Sequence, residues 1–161
     1  MEPLEPPALH QAQAAYGWLE LGNVEEAFAE LERLPEELQS LPAVQAVRLD
    51  CLRAAKDWNE AVKLAQVLCG QWTEEPGLWL HHAYAARRCA GGSIEAAYEL
   101  LAPCVERFPE EWLIPYNVAC YLCQMERLDE ARAMLEMARS KGGERVDTMA
   151  KDDEDLAPLN L

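Results

Sequence analysis

Apolar residues recur along most of the chain at intervals of three and four, which is the spacing of one face of an α-helix. A clear example is the run Leu128, Ala131, Leu135 and Ala138. Each run puts its apolar side chains on one stripe of a helix and leaves the other stripe polar. The pattern predicts an all-α protein built from amphipathic helices.

The helical pattern itself repeats, with a period close to 34 residues. A signal of an acidic residue followed by alanine marks one place in each repeat, and its alanines are 34, 36 and 34 residues apart: Ala27, Ala61, Ala97 and Ala131. The longer interval fits two extra residues in the turn between Cys89 and Ser93. Internal repetition at this period indicates helix pairs stacked in an array.

With this period and these small residues, the chain resembles the tetratricopeptide repeat family, whose unit is two antiparallel helices. Trp79 matches the bulky fourth position of the family pattern, Trp18 the aromatic eleventh, and Pro109 the late proline. The small eighth position is matched by Ala15, Ala83 and Ala119. The second unit departs from the pattern, because Leu49 stands at a small position and Ala65 at a large one.

The resemblance implies a right-handed α-α superhelix of about four helix–turn–helix units followed by a short C-terminal capping helix. The expected divisions are an N-terminal extension over 1–7, units over about 8–41, 42–75, 76–111 and 112–143, and a cap over 144–161. The last segment resembles a terminal cap that follows such repeats in bacterial proteins. We expect Val146, Met149, Leu156 and Leu159 to cover the open end, with the acidic cluster 152–155 facing water. A frayed acidic tail is the alternative.

Glycines predict the tight turns between the two helices of a unit. Gly22 serves the first unit and Gly91 with Gly92 the third, whereas Lys56 and Glu126 stand at the same place in the other two. A residue with a Cβ adopts the required backbone only at a conformational cost.

Two prolines predict interruptions of second helices. Pro103 lies inside an apolar run, so we expect a kink or a break there. Pro35 ends the second helix of the first unit early and leaves residues 36–41 as a short connector.

The charge balance narrows the class of partner. The 161 residues contain 29 Asp and Glu against 14 Lys and Arg, a net charge of −15 at pH 7. Such a chain repels nucleic acid and anionic membranes. It has no apolar stretch long enough to span a bilayer and no signal-peptide pattern at its start, so we expect a cytoplasmic protein whose six cysteines are reduced thiols.

Signals of catalysis are sparse, and we expect neither an enzyme nor a cofactor. The chain has no phosphate-binding loop or nucleophile elbow. His81 and His82 are adjacent and point about 100° apart on a helix, so they are poorly placed to share a metal ion, and His82 falls at an inward position. Pairs of glutamates lie at helix starts, where carboxylates favour the positive end of the helix dipole.

Cys120 and Cys123 form the one arrangement that suggests chemistry. A redox C-x-x-C pair needs its first thiol at a helix N-terminus, where the dipole lowers the thiol pKa. This pair lies in the middle of a predicted helix, and the other cysteines are spread singly over other helices. Apolar filling is the favoured interpretation, and a Cys-dependent redox or metal-binding protein is the alternative.

In the family that the chain resembles, the first helices of successive units line a concave groove. The matching positions, with one adjacent asparagine, are Ala12, Tyr16, Leu19, Asp50, Arg53, Leu80, Tyr84, Arg87, Tyr116, Asn117, Cys120 and Cys123. Tyrosines and arginines on one face are typical of binding hot spots. The tyrosines could instead pack between helices, and Arg53 could be paired with Asp50 three residues before it.

The sequence therefore predicts a non-catalytic module that binds a peptide or helix of a partner protein. An alternative is a chaperone similar to those of type III secretion translocators, on length, acidic charge and a small array. The carboxylate clamp of tail-reading family members is not supported, because Ala12 and Tyr16 occupy two of its positions. A homodimer through an exposed apolar end face is a further alternative partner arrangement.

Overall fold

The structure is a computed structural model that describes residues 4–160, and within that range it is all-α, as predicted. Residues 1–3 of the predicted N-terminal extension and residue 161 of the predicted cap lie outside the described residues. The α-helices are α1 Ala8–Glu20, α2 Val24–Glu32, α3 Glu36–Gln39, α4 Pro42–Ala54, α5 Trp58–Gln71, α6 Pro76–Ala86, α7 Ile94–Leu101, α8 Cys104–Arg107, α9 Leu113–Gln124, α10 Leu128–Gly142 and α11 Glu144–Ala150, followed by a 3-10 helix Glu154–Leu159.

The helices divide into two compact units, an N-terminal unit that ends at Leu78 and a C-terminal unit that begins at Trp79. In the N-terminal unit, α1 packs against α2 and α4 against α5, and α4 also contacts α1 and α2. Small residues lie fully buried where these helices meet, among them Ala15 and Ala27. Consecutive helices thus pack as pairs, because small side chains let their backbones approach closely.

In the C-terminal unit, α9 is the central helix and packs against α7, α10 and the 3-10 helix. Nine of its twelve residues are buried. The C-terminal segment completes this core, as predicted, because Val146, Leu156 and Leu159 are each at most 1% exposed. Met149 was expected to join them but is 43% exposed. The buried stripe of α11 runs through Val146 and Ala150, four residues apart, and Met149 lies beside that stripe.

Second helices of three pairs begin with a side-chain cap. Asn23, Asp57 and Ser93 each accept a hydrogen bond from the backbone N–H three residues later. Each cap satisfies one of the N–H groups that have no partner inside the helix. These caps explain why α2, α5 and α7 begin where they do.

The four predicted turns share one backbone conformation. Gly22 and Gly91 have φ of 75°, Lys56 has 58° and Glu126 has 60°. All four lie in the left-handed region, which suits glycine and costs a residue with a Cβ about 1–2 kcal/mol. The prediction that Lys56 and Glu126 adopt a costly conformation is confirmed.

We expect Lys56→Gly to raise the free energy of unfolding by about 0.5–1 kcal/mol, since glycine removes the strain but also loses more entropy on folding. Urea denaturation of the purified chain measures the change. The matched control is Ala55→Gly, because the neighbouring Ala55 has an ordinary φ of −69°. That control should destabilise the chain, and stabilisation by both changes would contradict the strain.

The predicted interruptions also appear. Helix α7 ends at Leu101 and α8 begins at Cys104, so the break at Pro103 is confirmed. Helix α2 ends at Glu32, and the predicted connector after Pro35 contains the short helix α3. No helix in the described part of the chain has the length and apolar character needed to cross a bilayer.

Candidate functional site

The predicted face of the N-terminal unit carries a small polar cluster on α1 and α4. The Tyr16 hydroxyl donates a hydrogen bond to Asp50 Oδ2 over 3.1 Å, and Arg53 Nη1 donates to Asp50 Oδ1 over 2.7 Å. The predicted pairing of Arg53 with Asp50 is therefore present. Tyr16 is nonetheless 44% exposed, beside a partly buried Leu19 and a buried Ala12. This face thus offers an exposed aromatic side chain held in place by an ion pair.

The environment of Tyr16 keeps its hydroxyl protonated. Partial burial and the neighbouring Asp50 carboxylate raise the pKa of Tyr16 to about 12. Both causes act against a second negative charge at this place. The hydroxyl therefore serves as a hydrogen-bond donor at neutral pH.

The matching face of the C-terminal unit, here called the α6/α9 face, is formed by α9 and by Arg87 directly after the end of α6, and it is already occupied. Its occupant is the chain's own segment 152–160, here called the acidic tail. Two of its leucines, Leu156 and Leu159, enter the core, while Asp153 and Asp155 bond to side chains of the face. The predicted binding positions Arg87, Tyr116 and Cys120 are the residues that hold these two carboxylates.

Each carboxylate of the acidic tail has its own set of partners. Asp153 Oδ2 accepts hydrogen bonds from the Tyr116 hydroxyl over 2.7 Å and from Cys120 Sγ over 3.5 Å. The Arg87 guanidinium donates hydrogen bonds to both carboxylate oxygens of Asp155, and the distance between Nη2 and Oδ1 is 2.8 Å. Bidentate arginine–carboxylate contacts of this kind are strong and fix the orientation of the carboxylate. The face therefore recognises two carboxylates spaced two residues apart.

The backbone of the acidic tail is held as well. Gln124 Nε2 at the end of α9 donates to the carbonyl oxygen of Asp155 over 3.1 Å, and Arg132 Nη1 of α10 donates to that of Leu159 over 3.1 Å. The Asp153 side chain also accepts from the N–H of Asp155 and so caps the 3-10 helix. Side chains of α9 and α10 thus bond to the backbone of the tail near both ends of its 3-10 helix.

These contacts correct one prediction. The acidic cluster 152–155 was expected to face water, and Asp152 and Glu154 do, but Asp153 and Asp155 face the protein. The reason is that the 3-10 helix inserts Leu156 and Leu159 into the core, which turns the two aspartates before them towards Tyr116 and Arg87. Arg87, predicted as a binding position, is paired with Asp155 of this segment.

The contacts between the acidic tail and the face shift the pKa values of groups on both sides. The Arg87 hydrogen bond holds the pKa of Asp155 below its usual range, against the opposing effect of burial. Burial, together with the Asp153 carboxylate, raises the pKa of Tyr116. Asp155 therefore stays ionised and Tyr116 stays a donor over the whole neutral range.

Acid is expected to weaken the tail contact. Because the folded pKa of Asp155 lies below its ordinary value of about 4, its ionised form contributes stability above that value. The contribution disappears as pH falls through the folded pKa. We therefore expect Asp155→Asn to lower the free energy of unfolding at pH 7 and to have a smaller effect at pH 3, as measured by urea denaturation at both pH values.

The control for this prediction is Asp152→Asn, since Asp152 is exposed in the same segment and has no side-chain bond among the described residues. It should change stability little at either pH. An effect of Asp155→Asn that is equal at pH 7 and pH 3 would contradict the role given to its charge.

The remaining predicted positions of this unit are partly buried or packed. The Arg88 guanidinium lies 3.5 Å from the centre of the Tyr84 ring, a cation–π contact. Asn117 Nδ2 donates to the carbonyl of Leu113 in its own helix over 2.8 Å. Leu80 packs against the core, and Cys123 is buried. Tyr116, which could have been exposed or packed, is packed at 3% exposure.

The cysteines have the environment of apolar filling. All six are free thiols, and five of them are buried. Burial, with the nearby Asp153 carboxylate, strongly raises the pKa of Cys120, and burial also raises the pKa of Cys123. A thiolate is therefore disfavoured at both, which is the opposite of what redox or metal-binding chemistry requires. Among the described residues no group of three potential metal ligands comes together.

His82 lies inward, as predicted. It is buried, and its Nδ1 has no hydrogen-bond partner among the described residues. Burial lowers the pKa of His82, so the imidazole is neutral at pH 7. A neutral buried ring serves as a packing element of α6.

A second concave feature lies apart from the predicted face. An apolar cleft of about 480 Å³ opens between α7, α9 and α10, and its walls include Tyr98, Pro103, Met134 and Met137. The break between α7 and α8 supplies one end of it. None of the twelve predicted positions lines this cleft.

Sequence reasoning missed Asp153 and Asp155, which occupy the α6/α9 face. It also missed Gln124 and Arg132, which bond to the backbone of the acidic tail. A signal was present, since two aspartates spaced by one residue precede two leucines spaced by two. That spacing puts both leucines on one side of a tight helix and leaves the carboxylates at its start.

No protein-family model matches the chain, and a search of curated proteins finds no match.

Proposed function

We propose that this chain is a non-catalytic protein-binding module of the tetratricopeptide type, and that the face of α1 and α4 binds a short segment of a partner protein. The chain's own acidic tail supports the proposal most directly. It lies on the matching face of the C-terminal unit, where Tyr116 at repeat position five, Cys120 at position nine and Arg87 at position twelve hold it. Positions nine and twelve in the N-terminal unit carry Tyr16, Leu19, Asp50 and Arg53.

The chemistry of the N-terminal face suits such a role. Tyr16 presents a large apolar ring with a donor at its tip, and its bond to Asp50 fixes that ring before a partner arrives. Tyrosines fixed in this way contribute strongly to protein interfaces, because they lose little conformational entropy on binding. Leu19 lies one turn further along α1 and extends the apolar contact area.

Site-specific photo-crosslinking in cells tests the proposal. A photo-reactive amino acid at position 16 of the full chain should capture a partner protein. The matched control carries the same amino acid at position 67, where Val67 is 54% exposed in the same unit but off the face. Captured species are separated by size and identified by mass spectrometry.

A second variant checks that capture depends on the face. Asp50→Ala removes the carboxylate that holds the Arg53 side chain in place on the same face, so capture from position 16 should fall several-fold. If positions 16 and 67 capture the same proteins, or if Asp50→Ala leaves capture unchanged, the α1/α4 face is not the binding surface.

A further inference from the structure

We propose that the α6/α9 face of the C-terminal unit is a binding site for acidic segments with the spacing Asp-x-Asp-Leu-x-x-Leu. The acidic tail is its occupant within the same chain, and a segment of this spacing on another protein takes its place. The inference goes beyond the partner face proposed for the N-terminal unit. It depends only on contacts made inside the C-terminal unit.

The site matches a sequence pattern rather than a general charge. Tyr116 and Cys120 bond to the first aspartate and Arg87 to the second, with both oxygens engaged. Leu156 and Leu159 follow at the spacing that buries both. Four side chains over seven residues are therefore specified, which a partner segment must reproduce.

The connection between the acidic tail and the rest of the chain is short. Helix α11 ends at Ala150, and only Lys151 and Asp152 separate it from the first bonded aspartate. Both connecting residues are exposed. The tail can thus leave the face by a change at these two residues, without the unfolding of α9 or α10.

The net charge of the chain bears on which molecule occupies the face. Two copies of this chain each carry a charge of −15 and repel one another. A short acidic segment on a protein of lower charge meets less repulsion, while Arg87 still attracts it locally. A partner segment is therefore favoured over the tail of a second copy.

The acidic tail should reduce the apparent affinity for such a partner. A ligand binds only the fraction of molecules whose tail has left the face, so its apparent affinity falls by that fraction. A change that weakens the tail but leaves the face intact should strengthen binding. Asp153→Asn with Asp155→Asn is such a change, because Tyr116, Cys120 and Arg87 stay in place for the incoming carboxylates.

The test uses the full chain and a fluorescently labelled synthetic peptide of residues 152–160, with fluorescence anisotropy as the readout. The double variant should bind the peptide at least tenfold more tightly than the wild type. A peptide with asparagine at both aspartates should bind the double variant at least tenfold more weakly, since charge-assisted hydrogen bonds contribute about this much each. Adding Arg87→Gln to the double variant should weaken the acidic peptide in the same way.

The outcomes separate recognition from a purely structural cap. A folded double variant that binds the peptide no better than the wild type overturns the proposal, as does equal binding of the acidic and asparagine peptides. Circular dichroism checks folding. If the double variant loses helix, Asp153→Asn alone gives the same comparison with a smaller expected change. Crosslinking at position 16 is a separate readout, so failure of one proposal is distinguishable from failure of the other.

Discussion

Leu156→Ala should lower the free energy of unfolding by about 2–5 kcal/mol, and Leu159→Ala by a similar amount. Both side chains are 1% exposed in the core of the C-terminal unit. Each substitution removes buried methyl groups and leaves a cavity whose walls belong to α9 and α10, which are held by their own pairing. Urea denaturation followed by circular dichroism measures the loss.

The control for these substitutions is Met149→Ala. Met149 belongs to the same C-terminal segment and is of similar size, but it is 43% exposed. Its truncation should change stability by about 0.5 kcal/mol or less. If the two leucine variants were as stable as this control, the acidic tail would be frayed rather than a part of the core.

The helices and turns could be predicted because their causes are local. A 34-residue period fixes where small residues recur, and a turn that needs a left-handed residue must take one even where the sequence supplies lysine. Lys56 and Glu126 were identified in this way without any glycine to mark them. The break at Pro103 is local for the same reason, since proline lacks the N–H that a helix interior needs.

The occupant of the α6/α9 face could not be predicted in this way. Arg87 and Asp155 are 68 residues apart in sequence, and Tyr116 and Asp153 are 37 apart. Repeat positions identify which side chains lie on a face, but they carry no information about which distant segment covers it. The acidic cluster was assigned to water because charges usually lie there. Two buried leucines next to the cluster were enough to reverse that assignment for Asp153 and Asp155.

The position of the acidic tail changes what the net charge means for binding. A charge of −15 suggests an exterior that only solvates the protein. Two of those charges instead satisfy Arg87 and Tyr116 inside the C-terminal unit. Under our proposal the tail shows the chemistry of the ligand for the α6/α9 face, and the α1/α4 face with its exposed Tyr16 is the surface proposed for a partner.

Gly92→Ala is expected to have the second large effect, a loss of about 3 kcal/mol. A Cβ at Gly92 would overlap the backbone carbonyl oxygen of Ala86, and it would lie 3.0 Å from the carbonyl oxygen and 3.1 Å from the Sγ of Cys89. A side chain can rotate away from such a contact, but the carbonyl of Ala86 at the end of α6 cannot. The turn between α6 and α7 would have to move. That movement disturbs the hydrogen bond from the N–H of Gly92 to the carbonyl oxygen of Cys89.

Two other glycines provide controls that separate lack of space from backbone strain. Gly91 has φ of 75° with nothing within 4 Å of an added Cβ, so Gly91→Ala should cost only about 1–2 kcal/mol. Gly17 lies inside α1 with open space around it, and Gly17→Ala should stabilise the chain by about 0.5–1 kcal/mol. Urea denaturation of the three variants should therefore rank Gly92→Ala below Gly91→Ala and Gly17→Ala above the wild type. Equal losses at Gly91 and Gly92 would mean that the space around Gly92 adds nothing to the cost. The expected order means instead that Gly91 supplies the backbone angle of the turn and Gly92 the room for the Ala86 carbonyl.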